Sequence, residues 1–530
     1  MKRFFILFAA LAVMAGFSAY AQDAAVKKII EMGQTDNQVM HHLDILLNRF
    51  GGRPVGSAAY ENAQQWIKRE FESWGIEVTL EEAGSVPVGF NRDHWQGRLI
   101  GENSMELHFA TPSFTSGTHG VQRGHVVLEP TNDREFESMK GRLKGAWVLV
   151  SGNSSGWPIG SYYSDSLRNA VKEENRAIQR RNMDKMRQAH ESGSRERPEM
   201  EPMRELPGLY YKEMVEAGVL GFIQSAEVPI RALYDRKMLN DPDNCSFDTL
   251  PTVPDIKLDE NQFAVIKKMA QERRDFQLEF DIRNHFSIGP VPYKTLIGSI
   301  KGSKYPDEYV IVSCHLDSYD VATGGIDCGT GVGPMMEVAR MIALSGAKPK
   351  RTILFIAFAA EEFGLLGAEA WVKAHPDKLD KISNMFNRDG GPLPPVGISV
   401  PEAMYDDFVK ICEPISQIRS DYPFEVRKAN PRPKPTQTGG TDATVFALHG
   451  VPTYEFECRD FKGYGFEYQE IWHTERDTYS KEIPEYQEQA ATVTAIVALG
   501  VANLDHQLSR EGMYLKPGEE PKEGDFPPMM

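Results

Sequence analysis

Two hydrophobic periodicities alternate along the chain. Apolar residues recur at three- and four-residue spacing from Gln38 to Arg49 and from Tyr60 to Trp74, which predicts helices. The second of these segments is followed by Gly75, a common helix stop, and then by the strand-like sequence IEVTLEEA. The chain therefore begins as an α/β domain.

The pattern changes near Gly101. The segments GHVVLE, KGAWVLVSG and AGVLGFIQSA predict short strands that are separated by turn residues. Residues 164–202 are heavily charged and helix-prone, and their charges alternate in sign. We interpret them as a solvated helical excursion, with a nucleic-acid or partner arm as the alternative. Residues 101–270 are predicted to form a β-rich domain inserted into a first domain of residues 22–100 and 271–510.

Strand and helix alternate again after the insertion. DFQLEFDI, KTLIGSIKGS, DEYVIVSCHLDS and RTILFIAFAA predict strands, and GVGPMMEVARMIAL and GLLGAEAWVKAHP predict helices. This alternation is typical of an α/β sandwich. Residues 511–530 have the composition of a flexible tail.

The N-terminus, residues 1–21, has the features of a secretory signal. A basic start precedes an apolar run that is short for a membrane span, and AYA forms a small-x-small cleavage site. We expect cleavage after Ala21, a periplasmic or secreted protein, and no membrane span.

Net charge and cysteine spacing exclude some binding partners and one type of metal site. The net charge of −16 argues against nucleic acid or an anionic membrane surface as an electrostatic partner. The five cysteines include no CxxC pair, so a cysteine-based zinc ribbon is not predicted. The fold must rest on its apolar core and not on disulfides.

The first polar cluster, SCHLDS, follows an apolar run. His315 and Asp317 lie where the predicted strand ends, and α/β folds place ligand sites at strand ends. Residues two apart on a strand share a face, so Asp317 is placed to orient the imidazole from behind, as carboxylates do for metal-bound histidines. The alternative is a surface histidine with an acid nearby.

The second cluster is the glycine-rich run GGIDCGTGVG, residues 324–333. It lacks the Lys-Ser/Thr ending of a phosphate loop and the spacing of a dinucleotide site, which disfavours a phosphate site. The other interpretation is a tight turn that projects Asp327 towards a metal.

Glu361 and Glu362 end the next predicted strand. Adjacent side chains in an extended segment point in roughly opposite directions. One carboxylate is then free to bind metal while the other acts as a general base. Acids at a helix N-terminus are the alternative.

Asp389 in NMFNRDGG and His473 in EIWHTERDT complete the set. Each is unremarkable alone, but together the histidines and carboxylates occupy strand ends and turns of one α/β half. Nitrogen and oxygen ligands suit Zn²⁺, and a set without cysteine favours a catalytic centre. Two metals that share a bridging carboxylate would use these candidates.

In this order the residues resemble the di-zinc aminopeptidase family of metallo-exopeptidases. That family runs His-x-Asp, Asp in a glycine-rich turn, Glu-Glu, Asp and a C-terminal His. The resemblance covers about residues 38–509, is most similar to the carboxypeptidase Q (plasma glutamate carboxypeptidase) group, and extends to a protease-associated domain in the insertion. It implies a three-layer α/β/α sandwich with a mixed central sheet.

The resemblance also implies two zinc ions per chain and a role for each site residue. Asp327 would bridge the two ions, with Glu361 as the general base. The implied further ligands are His315 and Asp389 for one zinc, and Glu362 and His473 for the other. Asp317 would support His315 without binding metal, and Asp442 in GGTDATVF would line the substrate cleft.

Two residues depart from the family pattern. Cys328 follows the bridging acid, where Asn or Asp is usual and the peptide bond is often cis. Cys328 is not a predicted ligand, and a disulfide with Cys314 is the alternative to a free thiol. Trp472, assigned to the substrate cleft, stands where some relatives have a tyrosine that stabilises the oxyanion. Another group, such as a nearby tyrosine, would have to serve, or the site works without one.

We therefore expect a zinc-dependent exopeptidase that hydrolyses short peptides with metal-activated water and a glutamate base. Aminopeptidase, dipeptidase and carboxypeptidase Q-like activities are all open. The alternatives are a glutaminyl cyclase-like enzyme with one zinc, and a metal-free receptor-like binding protein. The complete ligand series opposes the second alternative. For the oligomeric state, a homodimer is the alternative to a monomer.

Overall fold

The computed structural model of the chain describes residues 23–101, 103–192, 198–241 and 243–520. The predicted signal peptide and the second half of the predicted tail lie outside these residues. Within the described ranges, no helix is both long enough and apolar enough to cross a membrane.

The described residues divide into two compact units, which we treat separately. Among the described residues, the first contains 23–85, 292–472 and 477–520, and the second contains Val86–Val291 and His473–Arg476. The predicted insertion, residues 101–270, is thus shorter than the observed one. The observed boundaries fall inside two long strands, whose interiors contain polar residues and proline that conceal their continuity in the sequence.

The strands are numbered in chain order. They are β1 Glu77–Gly101, β2 Met105–Glu106, β3 Phe109–Ala110, β4 Gln122–Leu128, β5 Ala146–Asn153, β6 Gly221–Ala226, β7 Asp255–Asp259, β8 Phe276–Ile300, β9 Tyr305–His315, β10 Arg351–Phe358, β11 Ile382–Asn387, β12 Pro395–Val400, β13 Glu425–Lys428 and β14 Phe456–Cys458.

The α-helices follow the same rule. They are α1 23–35, α2 Val39–Ile45, α3 Ala58–Ser73, α4 Asp133–Met139, α5 Ile159–Tyr162, α6 Asp165–Glu191, α7 Tyr211–Glu216, α8 Arg236–Leu239, α9 Glu260–Gln271, α10 Thr330–Leu344, α11 Leu366–Ala374, α12 Glu402–Cys412, α13 Ala443–Leu448, α14 Tyr468–Ile471 and α15 Pro484–Ala502. Short 3-10 or π turns cover Leu46–Phe50, Lys140–Arg142, Phe247–Thr249, Gly325–Gly329, Leu379–Lys381, Glu413–Gln417 and Tyr479–Lys481.

The first unit is built on a mixed sheet in the order β11-β9-β10-β8. Strands β9, β10 and β11 are parallel, and β8 runs antiparallel to β10. Because the parallel strands end together, with Phe358 paired to His315, their carboxyl ends meet at one edge of the sheet. A second, small sheet has the order β13-β12-β14.

Helices cover both faces of this sheet. Every residue of β10 is buried, as expected of a central parallel strand. Leu354 and Ile356 pack in one cluster with Trp371 of α11 and Phe446 of α13. On the opposite face Phe355 meets Phe71 of α3, and α10 and α15 also contact the sheet. The predicted three-layer α/β/α sandwich with a mixed sheet is confirmed.

The strands of the second unit pair in the order β8-β4-β5-β6-β7-β3. Strands β4 to β7 are parallel, and β8 and β3 are antiparallel to their neighbours. Trp147 of β5 packs in a cluster with α9, whereas Val148 packs in a cluster that includes Val171 of α6. Helices therefore lie on both faces, so this unit is α/β in character and less β-dominated than predicted.

Helix α6 is the charged segment of the sequence. Ser164 caps its N-terminus by accepting the N–H of Leu167. Arg168, Val171 and Ile178 are buried at helical spacing, so one side of the predicted excursion is packed.

Candidate metal centre

The predicted site residues of the first unit gather where its parallel strands end. His315 is the last residue of β9, Glu361 follows β10, and Asp389 follows β11. Strand pairing continues past the ends, since Leu316 N–H donates to Phe358 O at 2.9 Å. These side chains therefore lie at strand ends of one α/β unit, as predicted from the sequence, and the parallel pairing brings them to one edge of the sheet.

His315 is the buried centre of the group. Its Nε2 lies 3.2 Å from Asp327 Oδ1 and 3.2 Å from Asp389 Oδ1. Burial lowers the pKa of His315, but the acidic groups around it, first Cys328 and Asp389, outweigh burial and hold the pKa well above its usual value. One imidazole nitrogen thus faces two carboxylates across a gap suited to a cation.

The carboxylate of Asp317 does not bond the imidazole of His315, as the sequence predicted, but the backbone of the two glutamates. His315 Nδ1 lies 2.8 Å from the carbonyl oxygen of Asp317, whereas the nearer carboxylate oxygen is 3.8 Å away. The carboxylate instead accepts the N–H of Glu361 at 3.1 Å and the N–H of Glu362 at 3.2 Å. The main chain of Asp317 orients the imidazole, and its side chain holds the two glutamates.

Glu361 and Glu362 lie in a turn and not in an extended segment. Ala360 before them has a φ of 56°, and the carbonyl of Glu361 accepts the N–H groups of Gly364 and Leu365. Helix α11 begins only at Leu366, so neither acid lies in its first turn. The helix-start interpretation is therefore excluded, and the divergence of the two side chains arises from the turn.

The two glutamates differ in environment. Glu362 is buried, with 4% of its surface exposed, and Glu361 is only partly buried. Burial raises the pKa of Glu361 well above its usual range; His315 opposes this, and Asp389 and Glu362 add to it. A carboxyl group with a raised pKa beside a cation site is suited to accept and return a proton.

The glycine-rich run forms a turn that presents Asp327. Gly324 has a φ of 63°, and Asp477 accepts the N–H of Ile326 at 2.5 Å and that of Asp327 at 3.3 Å. The Asp327–Cys328 peptide bond is cis. Burial and the charge of Asp327 raise the pKa of Asp477 to about 8. Ligand oxygens of Asp327 and Glu362 lie within 4.8 Å of each other.

Arg53 is a supporting residue that the sequence reasoning missed. Its guanidinium, fully buried, donates to Leu316 O at 2.9 Å, Thr323 O at 2.8 Å and Gly324 O at 3.1 Å. Burial lowers its pKa to about 10, and Asp477 opposes this shift. Arg53 joins the loop after β9 to the turn that carries Asp327. The sequence holds only a weak signal for it, the GGRP turn between two predicted helices.

Tyr468 was not identified from the sequence, although a tyrosine near Trp472 was named as one candidate for the oxyanion donor. A Cβ added to Gly390 would lie 2.9 Å from the Tyr468 hydroxyl oxygen, so the ring packs directly against the residue after Asp389. Burial raises the pKa of Tyr468, and the charges of Asp327 and Asp389 add to the shift. The hydroxyl is therefore protonated and available as a donor.

The remaining predicted residues have separate positions. Asp442 precedes α13 and is fully buried. Trp472 follows α14 and is 36% exposed. His473 lies in segment 473–476, which groups with the second unit, while Trp472 and Asp477 on either side belong to the first. The part of His473 in the centre stays a prediction.

The donor chemistry fits a divalent metal. Asp327, Glu362 and Asp389 converge with His315, and buried carboxylates require a compensating cation. Neither carboxylate oxygen of Asp442 has a hydrogen-bond partner among the described residues. The thiol of Cys328 also lies in the group with His315 and Asp389. All five cysteines lie in the described ranges and are free, so no Cys314–Cys328 disulfide is present.

Comparison with known proteins finds a family match over part of the chain and relatives over most of it. Residues 295–498 match Peptidase family M28. Carboxypeptidase Q of Mus musculus is 25% identical over 504 residues, which cover 92% of this chain and 90% of that protein. A probable zinc metalloprotease of Pyrenophora tritici-repentis (strain Pt-1C-BFP) is 37% identical over 114 residues, 20% of this chain and 26% of that protein.

A solved structure shares the fold. The Peptidase M28 precursor from Shewanella amazonensis SB2B superposes with a TM-score of 0.55 at 19% identity, covering 93% of this chain and 99% of that one. At this identity the likeness concerns the fold alone. Residues 295–498 thus match Peptidase family M28, and the fold is shared with a solved M28 structure, in agreement with the resemblance found in the sequence.

Proposed function

We propose that this chain is a zinc-dependent exopeptidase that hydrolyses short peptides. The observation that carries the proposal is His315 Nε2 facing Asp327 and Asp389 at 3.2 Å, with the partly buried Glu361 beside them. Peptide hydrolysis is supported by the match of residues 295–498 to Peptidase family M28 and by the similarity to carboxypeptidase Q. Zinc is supported by the similarity to a probable zinc metalloprotease.

The proposed centre would hold two zinc ions. His315 and Asp389 would hold one, Glu362 and His473 would hold the other, and Asp327 would contribute to both. Asp327 Oδ1 lies 3.2 Å from His315 Nε2, and ligand oxygens of Asp327 and Glu362 lie within 4.8 Å of each other. Both distances support a bridging position for Asp327. The assignment of His473 rests on the order of residues shared with the family.

The residues of the chain then divide the reaction among themselves. When bound, zinc would supply a water of lowered pKa and polarise the peptide carbonyl. Glu361 would accept a proton from the attacking water and return it to the leaving amine. Tyr468 donates its hydroxyl hydrogen to the carbonyl oxygen as negative charge develops there. Asp317 fixes the backbone that carries Glu361 through its two N–H contacts.

The excess of acids around the centre favours a substrate with a free N-terminal ammonium group. Asp442 supports this proposal because its carboxylate is buried and unbonded among the described residues. A buried carboxylate of this kind gains from a cationic partner. Such a preference makes the enzyme an exopeptidase, with aminopeptidase and dipeptidase activities as its two forms.

The test combines metal analysis with a substrate panel. We expect about two zinc ions per chain, loss of hydrolysis on chelation, and recovery when zinc is added. Dipeptides and longer peptides with free N-termini should be cleaved, whereas N-acetylated peptides should not. A single zinc with cyclisation of N-terminal glutamine would overturn the proposal in favour of a glutaminyl cyclase-like enzyme.

A further inference from the structure

We propose that the thiol of Cys328 is a direct ligand of the zinc held by His315 and Asp389. The centre would then be a mixed nitrogen, sulfur and oxygen site, unlike the sulfur-free set expected from the sequence. The proposal rests on the zinc centre of the proposed function, and it adds a ligand and a metal preference that differ from the family pattern.

The distances carry this inference. One ligand atom each of His315, Cys328 and Asp389 lies within 4.8 Å of the other two. Ligand atoms on a tetrahedral zinc, with bonds of about 2.0 to 2.3 Å, are roughly 3.3 to 3.8 Å apart. The measured separation of His315 Nε2 and Asp389 Oδ1, 3.2 Å, is close to this range. Only small movements are needed to close the three atoms around one ion.

The packing around Cys328 fixes its thiol in this place. The residue is fully buried, and its Sγ donates a hydrogen bond to Arg388 O at 3.2 Å. A Cβ added to Gly331 would lie only 2.4 Å from this sulfur, so the thiol fills the space above that glycine. The sulfur is thus held beside Asp389 by the backbone on either side of it.

Metal binding would exchange the thiol proton for zinc. The thiol loses its proton to solvent, and with it the hydrogen bond to Arg388 O. A sulfur–zinc bond forms in its place, without any change of oxidation state. A thiolate is a soft ligand that favours zinc over magnesium or manganese. Cys328 therefore makes the centre selective for zinc.

Cys314 offers a matched comparison. It is also fully buried, and it precedes His315 on β9. Its Sγ lies 3.8 Å from Met335 Sδ and is not in the group of candidate ligand atoms. A serine at this position removes a neighbouring thiol without removing the proposed ligand.

The test is zinc X-ray absorption spectroscopy of the purified full-length protein, with its metal content measured in parallel. We expect a sulfur neighbour at about 2.3 Å from zinc, alongside nitrogen and oxygen neighbours. Zinc bound at the expected content with nitrogen and oxygen neighbours alone would overturn this proposal and leave the proposed function intact. Failure to bind zinc at all would overturn both.

Two variants locate the sulfur. Cys328→Ser should abolish the sulfur contribution, and Cys314→Ser should retain it in full. Retention of the sulfur signal in Cys328→Ser would overturn the assignment. Should Cys328→Ser not fold, the wild-type spectrum decides whether sulfur is bound, and the Cys314→Ser spectrum decides whether the neighbouring thiol supplies it.

Discussion

Asp317 Oδ1 accepts the backbone N–H of Glu361 at 3.1 Å, across 44 residues of sequence. The neighbouring oxygen accepts the N–H of Glu362, so one buried carboxylate fixes the whole turn after β10. The proposed general base is therefore held by the end of β9 and not by its own helix.

Replacing this carboxylate tests its role as a positioning group. In Asp317→Asn only one of the two N–H groups keeps an acceptor, because the other faces an amide NH₂. We expect zinc affinity to fall about 10- to 100-fold, as for other groups that support metal ligands. Competition with a chelator measures this, and Asp307→Asn, on the exposed start of β9, is the control. Equal affinity in both variants would contradict the prediction.

Glu361→Gln should separate metal binding from turnover. The amide keeps the shape of the side chain but cannot take a proton, so kcat should fall about 10²- to 10⁴-fold. Zinc content should stay at the wild-type level, as measured by mass spectrometry. Glu369→Gln, at an exposed position of α11, should leave both quantities unchanged. Wild-type turnover by Glu361→Gln would refute its assignment as the base.

Tyr468→Phe removes the proposed oxyanion donor while keeping the ring against Gly390. We expect kcat to fall about 10²- to 10³-fold, the usual effect of losing one such donor. The KM should change little, because the hydroxyl acts on charge that develops only in the transition state. Tyr464→Phe, 54% exposed in the same region, is the control. A lowered affinity with unchanged kcat would indicate substrate binding instead.

Arg53→Met should destabilise the first unit. The carbonyls of Leu316, Thr323 and Gly324 lose their buried donor, and an unsatisfied buried acceptor costs about 1 to 3 kcal/mol. Calorimetry should show earlier unfolding and zinc should be lost more easily, whereas Arg49→Met at an exposed site should show neither. Unchanged unfolding in Arg53→Met would show that the loops are held by other contacts.

Glu485 should stabilise the fold above its unfolded pKa of 4.5 and cease to do so in acid. Burial raises its pKa, but hydrogen bonds from Lys462 at 2.6 Å, from Tyr464 and from Tyr422 at 2.7 Å outweigh burial and lower the pKa to about 2. Because the folded pKa is the lower one, the stabilisation is complete above pH 4.5 and is lost as the pH falls towards 2.

The melting temperatures of wild type and Glu485→Gln should therefore differ at pH 7 and converge towards pH 3. Glu488→Gln is a control of opposite sign, since burial raises the pKa of Glu488 despite the opposing charge of Arg419. Its contribution to stability decreases as the pH rises above the unfolded value of 4.5. A gap between wild type and Glu485→Gln that is the same at pH 7 and pH 3 would contradict the assignment.

Local periodicity explains what the sequence predicted well. The apolar runs before His315 and Glu361 determine β9 and β10, and parallel pairing brings their ends together. Contacts between distant segments were not predictable in this way. Arg53 and the carboxylate of Asp317 act across hundreds or tens of residues, and no local pattern records such partners.

Backbone geometry limited the other predictions. The left-handed Ala360 converts an apparently extended Glu361–Glu362 pair into a turn. In the second unit the charged helix α6 was predicted, whereas α9 and the short helices α4, α5, α7 and α8 were not. The signal peptide, the protease-associated domain, the homodimer and the count of two zinc ions stay predictions.

The buried guanidinium of Arg53 also has a consequence for the order of events during synthesis. Arg53 leaves the ribosome 263 residues before Leu316, one of the carbonyls that it must bind. The whole segment Val86–Val291 of the second unit is made in between. Because Arg53 cannot donate to Leu316 O until β9 has been made, assembly of the metal-binding loops becomes a late step in the folding of the nascent chain.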